Sequence, residues 1–146
     1  MTALRPQVDG IPVPRPSLAS VAYWEGCRRG ELRYQRCAAC EALQTNPVTR
    51  CWRCHRPDPE WVTATGRGTL YSWTVVWRPQ HPAFEVPYAP AVVELDEGPR
   101  VLAAVVGCEP DELAEKMALE VTFHRVDDEI TLPFFRPAEG VPNSRP

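Results

Sequence analysis

Four of the six cysteines in this chain form two pairs with the same internal spacing, and this spacing points to metal chemistry. Two residues separate Cys37 from Cys40 and Cys51 from Cys54, and ten residues lie between the pairs. A two-residue spacer lets both thiolates of a pair face one point, and two facing pairs supply the four tetrahedral ligands that zinc prefers. We therefore expect one zinc ion bound by all four cysteines. Because no coordination position stays open, the ion should be structural rather than catalytic.

Two other uses of these cysteines remain open at the level of the sequence. Cys51, Cys54 and His55 match the C-x-x-C-H pattern of haem attachment, but that reading normally goes with an export signal and leaves the first pair unexplained. A redox pair usually begins a helix in a βαβ unit, and this segment lacks that context. Zinc accounts for all four cysteines at once.

The chain shows no sign of export or membrane insertion. No stretch approaches the roughly 20 apolar residues that span a bilayer, and Met1 to Pro16 lacks the charged-then-apolar order of a signal peptide. We therefore expect a cytoplasmic protein. Structural disulfides are rare in that reducing compartment, which again favours metal binding for the paired cysteines.

Charge is distributed unevenly along the chain. The formal net charge of −3 gives no overall field that would attract nucleic acid. Between Arg28 and Arg56, however, seven Arg stand against two Glu, whereas Pro57 to Pro146 holds fifteen acidic and seven basic residues. A zinc ion with four thiolates is negatively charged overall, so the basic segment could balance such a cluster.

No catalytic constellation is evident elsewhere. We interpret Cys27 and Cys108 as buried, small apolar side chains, since the sequence assigns no base to either thiol. His81 and His124 have no partner at a motif spacing, so we expect surface or loop positions. We predict no catalytic residue and expect the chain not to be catalytic alone.

Aromatic and basic residues in two places are candidates for contact with a partner. One group lies in the proline-rich segment 77–90, where proline orders the backbone and aromatic rings offer contact area. The other lies in a predicted helix before the cysteines. The open alternative is that the rings cover the protein's own core and the Arg residues form a solvated face. The candidates are Trp77, His81, Phe84, Tyr88, Tyr23, Trp24, Arg28 and Arg29.

Helix signals precede the cysteine segment. Ser17 is a cap residue and Gly30 a stop signal, so we predict a helix from about Leu18 to Arg29, with Leu18 on its apolar side. The segment before it contains four prolines and reads as an extended arm, and the last residues read as a frayed tail. We expect neither end to carry the fold.

The second half of the chain has the pattern of a small barrel. Segment 69–77 is rich in aromatic and β-branched residues, and turn signals separate the apolar runs that follow. The predicted strands are 69–77, 91–95, 101–106, 119–126 and 130–135, with a short helix from Pro110 to about Met117 after the third. Five strands with a helix after the third is the order of an OB-type barrel, which closes its edges by curling on itself.

Several stretches, taken together, resemble the DUF35 family of acyl-CoA-associated zinc-ribbon and OB-fold proteins. They cover about 21–137 in matching order and spacing and read YWEG followed by GEL, RCAAC, CWRC, GRGTLYSWTV, VVELDEGPR and LPFFR. The resemblance implies an N-terminal helix, a rubredoxin-like zinc ribbon and a C-terminal five-stranded OB-fold. Carried over by position, the implied zinc ligands are Cys37, Cys40, Cys51 and Cys54, and no catalytic residue transfers.

Two positions depart from the family pattern. Where relatives often have Gly after the second ribbon cysteine, this chain has Glu41, and where they commonly have Gly before a Met, Lys116 precedes Met117. Both changes concern turns rather than ligands. The chain also lacks the fused hydratase-like domain of some relatives, so we expect it to find its enzyme by binding.

These observations lead to two functional hypotheses. The resemblance implies a non-catalytic zinc-binding accessory subunit of a thiolase-superfamily enzyme that acts on acyl-CoA thioesters, in lipid or steroid side-chain degradation, with direct acyl-CoA contact also open. The alternative is a nucleic-acid-binding module, because zinc ribbons and OB-folds both serve that purpose. The acidic barrel argues against it. We expect an arm at 1–16, helix and ribbon at 17–61, an OB-fold at 62–137 and a tail at 138–146.

Overall fold

The computed structural model describes residues 3–139 as one α-helix, a three-stranded sheet and a closed five-stranded barrel. The mainly β fold predicted from the sequence is confirmed. Within residues 3–139 no helix has the length and apolar character needed to cross a membrane. The elements are α1 (Val21–Arg28), β1 (Arg33–Arg36), β2 (Leu43–Gln44), β3 (Glu60–Thr63), β4 (Arg67–Trp73), β5 (Ala89–Leu95), β6 (Arg100–Val105), a 3-10 turn (Pro110–Glu112), β7 (Ala118–Arg125) and β8 (Thr131–Pro137).

The small sheet carries the cysteine segment. Strand β1 lies in its centre, antiparallel to both β2 and β3, with Gln35 opposite Gln44 and Trp61. The buried Gln35 amide donates to the Val48 carbonyl and accepts from the Val48 N–H, each at 2.8 Å. Since buried polar groups are costly unless they are hydrogen-bonded, this pair of bonds fixes the loop between the two cysteine pairs against β1.

The barrel has the strand order β4-β5-β6-β8-β7, and β7 returns to pair with β4. Two antiparallel hairpins, β5–β6 and β7–β8, form most of the wall. The hairpins meet where Val105 of β6 lies opposite Phe135 of β8 in a short parallel contact. Five strands with one turn of 3-10 helix after the third is the OB arrangement, so the predicted barrel is confirmed.

Alternation of side chains along the strands builds the barrel core. On β5 every second residue, from Ala89 to Leu95, is buried, whereas those between are partly exposed. Phe135, Leu70 and Leu119 complete the interior with almost no exposed surface. Full burial of one such side chain is worth about 1.5–3 kcal/mol, which makes this the main stabilising cluster of the fold.

Gly68 allows β4 to approach β5 closely. A Cβ at this position would lie 2.4 Å from the Glu94 carbonyl oxygen, a distance at which the backbone itself would have to move. The glycine that precedes the aromatic run is therefore a steric requirement of the barrel wall.

The ribbon strand and the barrel share one core. Leu32, Tyr34 and Ala64, which flank or belong to the small sheet, pack in the same buried cluster as the barrel interior. The Ala64 N–H also donates to the Leu32 carbonyl at 2.7 Å. The small sheet is thus anchored on the barrel at the root of the cysteine segment.

Helix α1 is shorter than predicted. It begins at Val21, after a turn in which the Ser17 carbonyl accepts from the N–H groups of Ser20 and Val21. Leu18 therefore lies outside the helix, 91% exposed, and its expected apolar contact was wrong. The stop at Gly30 is confirmed, because Gly30 has φ +74° and its N–H donates to the Cys27 carbonyl in a Schellman-type ending.

Two barrel elements also end earlier than predicted. Strand β4 stops at Trp73 instead of Trp77, although Val76 makes an isolated bridge to Tyr88. The helix after β6 is a single 3-10 turn rather than one reaching Met117. The Met117 carbonyl instead accepts from the Leu70 N–H, so the chain beyond the turn runs along β4.

The N-terminal segment takes part in the fold, contrary to the expectation that neither end would. Leu4 is 2% exposed within the barrel core. Its N–H donates to the Cys108 carbonyl at 2.8 Å, and its carbonyl accepts from the Gly107 N–H at 2.9 Å. Most of the predicted tail, residues 140–146, lies outside the described residues.

Candidate metal centre

Each cysteine pair sits in a tight turn with the same hydrogen bonds. In the first turn the Glu41 N–H donates to the Cys37 carbonyl at 3.0 Å, and the Cys37 N–H donates to the Ala42 carbonyl at 2.9 Å. The second turn repeats this pattern around Cys51, with His55 in the place of Glu41. Both Glu41 and His55 have positive φ, at 64° and 62°. This shared geometry turns the two thiols of each pair to one side.

The four sulfur atoms converge on one point. Cys37 and Cys54 have their Sγ atoms 3.5 Å apart, as do Cys40 and Cys51, and all four lie within 4.8 Å of one another. Thiolates about 2.3 Å from a tetrahedral zinc ion would be about 3.8 Å apart, whereas a disulfide requires about 2.05 Å. The cysteines are free and cross-paired between the turns, so they are positioned to bind a metal ion.

Backbone N–H groups favour thiolates in this cluster. The N–H groups of Cys40 and Ala39 point at the Cys37 sulfur and lower the pKa of that thiol to about 6. The Cys54 N–H lowers the pKa of Cys51 in the same way. For Cys54, the Arg56 N–H lowers the pKa, but desolvation and three neighbouring thiols outweigh it and raise the pKa to about 11. A full set of four thiolates therefore requires a cation among them.

Arginine side chains brace the same turns. Arg50 donates through Nη1 to the His55 carbonyl at 3.1 Å, and Arg53 donates through Nη1 to the Cys40 carbonyl at 3.4 Å. The latter bond joins the second turn to the first. At least part of the local excess of Arg thus stabilises the turns themselves.

The two aromatic candidates on the helix, Tyr23 and Trp24, lie in different environments. Tyr23 packs against the barrel core, and burial raises the pKa of its hydroxyl. Trp24 is half-buried, with its ring edge-on to Tyr23 at 4.9 Å between centroids. Tyr23 thus packs its ring against the core while staying partly exposed.

Arg28 and Arg29 stand exposed at the end of α1, where they line a shallow depression together with Glu25. Their position on the surface leaves them accessible to a partner. A cation at a helix C-terminus also interacts favourably with the helix dipole, so a purely local role accounts for Arg28 equally well.

Three of the four candidates in the proline-rich segment form a chain of ring contacts, the first edge-to-face and the second tilted. The rings of His81 and Phe84 are 5.9 Å apart, and those of Phe84 and Tyr88 are 5.5 Å apart. Trp77 is 63% exposed. The Gln7 side chain holds this loop by donating to the Glu85 carbonyl and accepting from its N–H.

The other histidine and the unpaired cysteines are in strand and core positions. His124 lies on β7, half-buried and edge-on to Phe134 at 5.4 Å, and is not a loop residue. Cys27 and Cys108 are buried, as expected, and burial raises the pKa of each thiol to about 11. Neither thiol is therefore activated as a nucleophile.

Sequence reasoning missed an apolar face on the outside of the barrel. Leu102 on β6 is 78% exposed and lies beside Val92, and the exposed Trp73 follows on β4. The signal was available in segment 101–106, where an uninterrupted apolar run replaces the alternation expected of a strand with one solvated face. We call Trp73, Val92 and Leu102 the outer barrel face.

Comparison with known proteins matches this architecture. A model of the ChsH2 C-terminal OB-fold domain matches residues 61–124. A probable enoyl-CoA hydratase alpha subunit of Thermomonospora curvata is 42% identical over 127 residues, which is 86% of this chain and 40% of that protein. The 3-oxo-4,17-pregnadiene-20-carboxyl-CoA hydratase alpha subunit of Mycobacterium tuberculosis is 34% identical over 79% of this chain and 37% of its own length. This chain thus spans about two fifths of either relative.

Other relatives are of comparable length. A DUF35 domain-containing scaffold protein of Methanothermobacter thermautotrophicus is 30% identical over 104 residues, covering 70% of this chain and 78% of that protein. A chain in the structure of an Ltp2-ChsH2(DUF35) aldolase superposes with a TM-score of 0.78 and 39% identity, covering 86% of this chain and 98% of that one. A DUF35 protein of unknown function from Sulfolobus solfataricus shares the fold, with a TM-score of 0.58 and 11% identity.

Proposed function

Because this chain belongs to the DUF35 family, we propose that it is a non-catalytic accessory subunit of a thiolase-like enzyme that acts on acyl-CoA thioesters. The observation that carries the proposal is the match to a chain in the structure of an Ltp2-ChsH2(DUF35) aldolase, 98% of which this chain covers. The names of the relatives place them with hydratase subunits, an aldolase and scaffold proteins. A retro-aldolase or thiolase complex in lipid or steroid side-chain degradation is the setting that we propose.

The environment of the cysteines supports a structural role. Cys27 and Cys108 are buried with raised thiol pKa values, and the remaining four cysteines face one another. We propose that these four hold one zinc ion, because an all-thiolate tetrahedral set suits zinc. Such an ion has no open position for substrate. It supplies a fixed centre for two turns that are too small to bury a core.

We propose that the partner enzyme contacts the outer barrel face and the exposed Trp77. Leu102 and Trp77 are 78% and 63% exposed, and Leu102 lies with Trp73 and Val92 along one depression, where clustered apolar side chains suit a protein contact. Burial of these two side chains at an interface would stabilise the complex through the hydrophobic effect. Tryptophan is also enriched among the residues that dominate binding. Trp24, Arg28 and Arg29 at the helix and His81, Phe84 and Tyr88 in the proline-rich segment remain candidate contacts.

The composition of the outer barrel face also weighs against nucleic-acid binding. OB-folds bind oligonucleotides on the surface of their second and third strands, here β5 and β6. The described residues that line the depression on this face are Ser72, Trp73, Thr74, Pro90, Ala91, Val92 and Leu102, with no charge among them. Phosphate binding needs Lys or Arg, so this surface fits an apolar protein contact better.

Affinity purification from the native host tests the proposal. We expect an untagged thiolase-like subunit to co-purify with the wild-type chain, and Leu102→Asp combined with Trp77→Ala to reduce its recovery at least tenfold. Leu18→Asp is the matched control, because Leu18 is even more exposed but belongs to the turn before α1 and to no barrel strand. Robust turnover of an acyl-CoA thioester by the isolated chain would contradict the proposal, as would the absence of any thiolase-like protein.

A further inference from the structure

The proline-rich segment 77–90, which contains four of the candidate partner contacts, is fixed to the barrel at its base. Val76 and Tyr88 exchange two backbone hydrogen bonds, at 2.8 and 3.3 Å, beyond the end of β4. This pair continues the register of β4 and β5, and Trp77 follows directly. The base of the segment is therefore an extension of the two strands that it joins.

The tip of the segment, residues 78–87, has few hydrogen bonds of its own. Three of its ten residues are proline, which has no N–H to donate. Its internal bonds are local, since the Ala83 N–H donates to His81 Nδ1 and the Phe84 N–H donates to the His81 carbonyl, each at 3.1 Å. Among residues 3–139, Gln7 is the one residue outside the segment that forms hydrogen bonds with this tip.

Gln7 contacts the tip through both ends of its side-chain amide. Its Nε2 donates to the Glu85 carbonyl at 3.0 Å, and its Oε1 accepts from the Glu85 N–H at 2.9 Å. A primary amide offers one donor and one acceptor side by side, as this arrangement requires. Both bonds engage the backbone of Glu85, so they fix the path of the chain rather than a single side chain. We call this pair of bonds the Gln7 bridge.

Gln7 is itself held close to a fixed point of the fold. Leu4 is buried in the barrel core, and its backbone forms two hydrogen bonds with residues 107 and 108 at the end of β6. Only Arg5 and Pro6 separate Leu4 from Gln7. Proline fixes its own φ and favours extended backbone for the residue before it, so this connection is short and stiff. The Gln7 bridge therefore ties the tip of the segment to the barrel core.

From these contacts we infer that Gln7 is a positioning residue for recognition of the partner enzyme, because it holds the tip of the proline-rich segment in the arrangement that the partner meets. Phe84 directly precedes the bridged residue, so its ring is the contact most affected. A segment that is ordered before binding loses less conformational entropy at the interface. The role in recognition rests on the proposed function, whereas the bridge itself does not.

Hydrogen exchange of the isolated full chain tests the bridge. In Gln7→Met we expect the backbone N–H groups of residues 83–86 to exchange about tenfold faster, while those of β5 keep their rate. Methionine retains the length of glutamine but neither hydrogen bond, so this variant separates bonding from packing. Arg5→Ala is the matched control, because Arg5 is an exposed residue of the same segment and should change these rates less than about twofold. Wild-type exchange in Gln7→Met would overturn the inference.

Affinity purification from the native host tests the role in recognition. Gln7→Met should lower recovery of the thiolase-like subunit about fivefold while the free energy of unfolding in urea stays unchanged. Because the bridge acts through the tip, Gln7→Met combined with Phe84→Ala should lose no more than Phe84→Ala alone.

The outcomes separate this inference from the proposed function. Additive losses in the double variant, or full recovery with a faster-exchanging tip, would overturn the role of Gln7 and leave the proposed function standing. Absence of any thiolase-like protein with the wild-type chain would contradict the proposed function, and the role in recognition with it.

Discussion

The six cysteines show how the environment sets the chemistry of one residue type. In the turns, backbone N–H groups directed at sulfur lower the pKa values of Cys37 and Cys51. Against the core, burial raises the pKa values of Cys27 and Cys108 to about 11. The spacing of the first set made its role readable from the sequence, since a two-residue spacer imposes its own geometry. Burial of the second set depended on the tertiary fold.

Removal of the metal should separate these two classes. At pH 8 we expect the metal-loaded chain to react slowly with a thiol reagent. A zinc chelator should make the four thiols of the turns available to the reagent, with Cys54 slower than Cys37 because its pKa is raised to about 11 while that of Cys37 is lowered to about 6. Cys27 and Cys108 should react only on denaturation, because both side chains are buried. Thiol counting together with elemental analysis provides the measurement. The Cys27→Ala variant is the control and should retain the four thiols that the chelator makes available.

A chain without bound metal after careful purification would contradict this assignment. Reaction of all six thiols at the same rate after chelation would contradict the separation between the turns and the core.

Residue identity alone could not distinguish Tyr23 from Trp77. Both are aromatic residues in segments that could face a partner, yet the first packs against the core and the second lies 63% exposed. Which side of α1 meets the barrel follows from the crossing of the helix over β1. A Cβ on Gly26 would contact the Arg33 side chain at 2.7 Å, and Arg33 donates to the Ala22 carbonyl. Those contacts join α1 to the strand that follows it, at separations beyond helical periodicity, and leave no local pattern.

At the scale of elements, the departures from the family glycines have a structural explanation. Glu41 and Lys116 both have φ +64°, in the left-handed region that glycine enters without penalty. His55 occupies the position equivalent to Glu41 in the second turn, with φ +62°. The sequence comparison located two of these three turns correctly, although the positive φ itself became visible only in the structure.

Glycine at these positions should stabilise the protein. A non-glycine residue in the left-handed region costs about 1–2 kcal/mol of stability, and glycine removes this cost. Glycine also makes the unfolded chain more flexible, which offsets roughly 0.5–1 kcal/mol of the gain. We therefore expect Lys116→Gly and His55→Gly each to raise the free energy of unfolding by about 0.5–1 kcal/mol in urea. The Lys116 N–H donates to the Leu70 carbonyl, and glycine retains this backbone bond.

Glu115 supplies the matched control because it precedes Lys116 and does not have positive φ. Glu115→Gly should lower the free energy of unfolding by about 0.5–1 kcal/mol, since it adds flexibility to the unfolded chain without relieving strain. Equal effects of Glu115→Gly and Lys116→Gly would show that backbone conformation does not govern this turn.

For the molecule as a whole, the barrel could be predicted because its strands, turns and their order all leave local signals. The contribution of the N-terminal segment could not. Four prolines and no periodicity gave it the appearance of an arm, yet one side chain, Leu4, lies in the core. A single buried residue in an irregular segment has no periodic signature, and only the closed barrel creates the space that it fills.

Leu4 should therefore matter more than its location suggests. We expect Leu4→Ala to lower the free energy of unfolding by about 2–5 kcal/mol, the range for a buried leucine that leaves a cavity. Leu18→Ala, at a 91% exposed position of the turn before α1, should change it by less than about 0.5 kcal/mol. Urea denaturation followed by circular dichroism gives both values. Comparable losses in the two variants would show that the segment acts through general flexibility.

Strand β1 has a practical consequence, because it ends one residue before Cys37, while Tyr34 within it and the adjacent Leu32 pack in the cluster that they share with the barrel. Loss of order in the cysteine cluster should therefore also weaken the packing of this strand against the barrel core. Samples handled in EDTA should consequently melt at a lower temperature than samples kept in trace zinc. The melting temperature measured for this protein would then depend on the chelator and zinc content of the buffer.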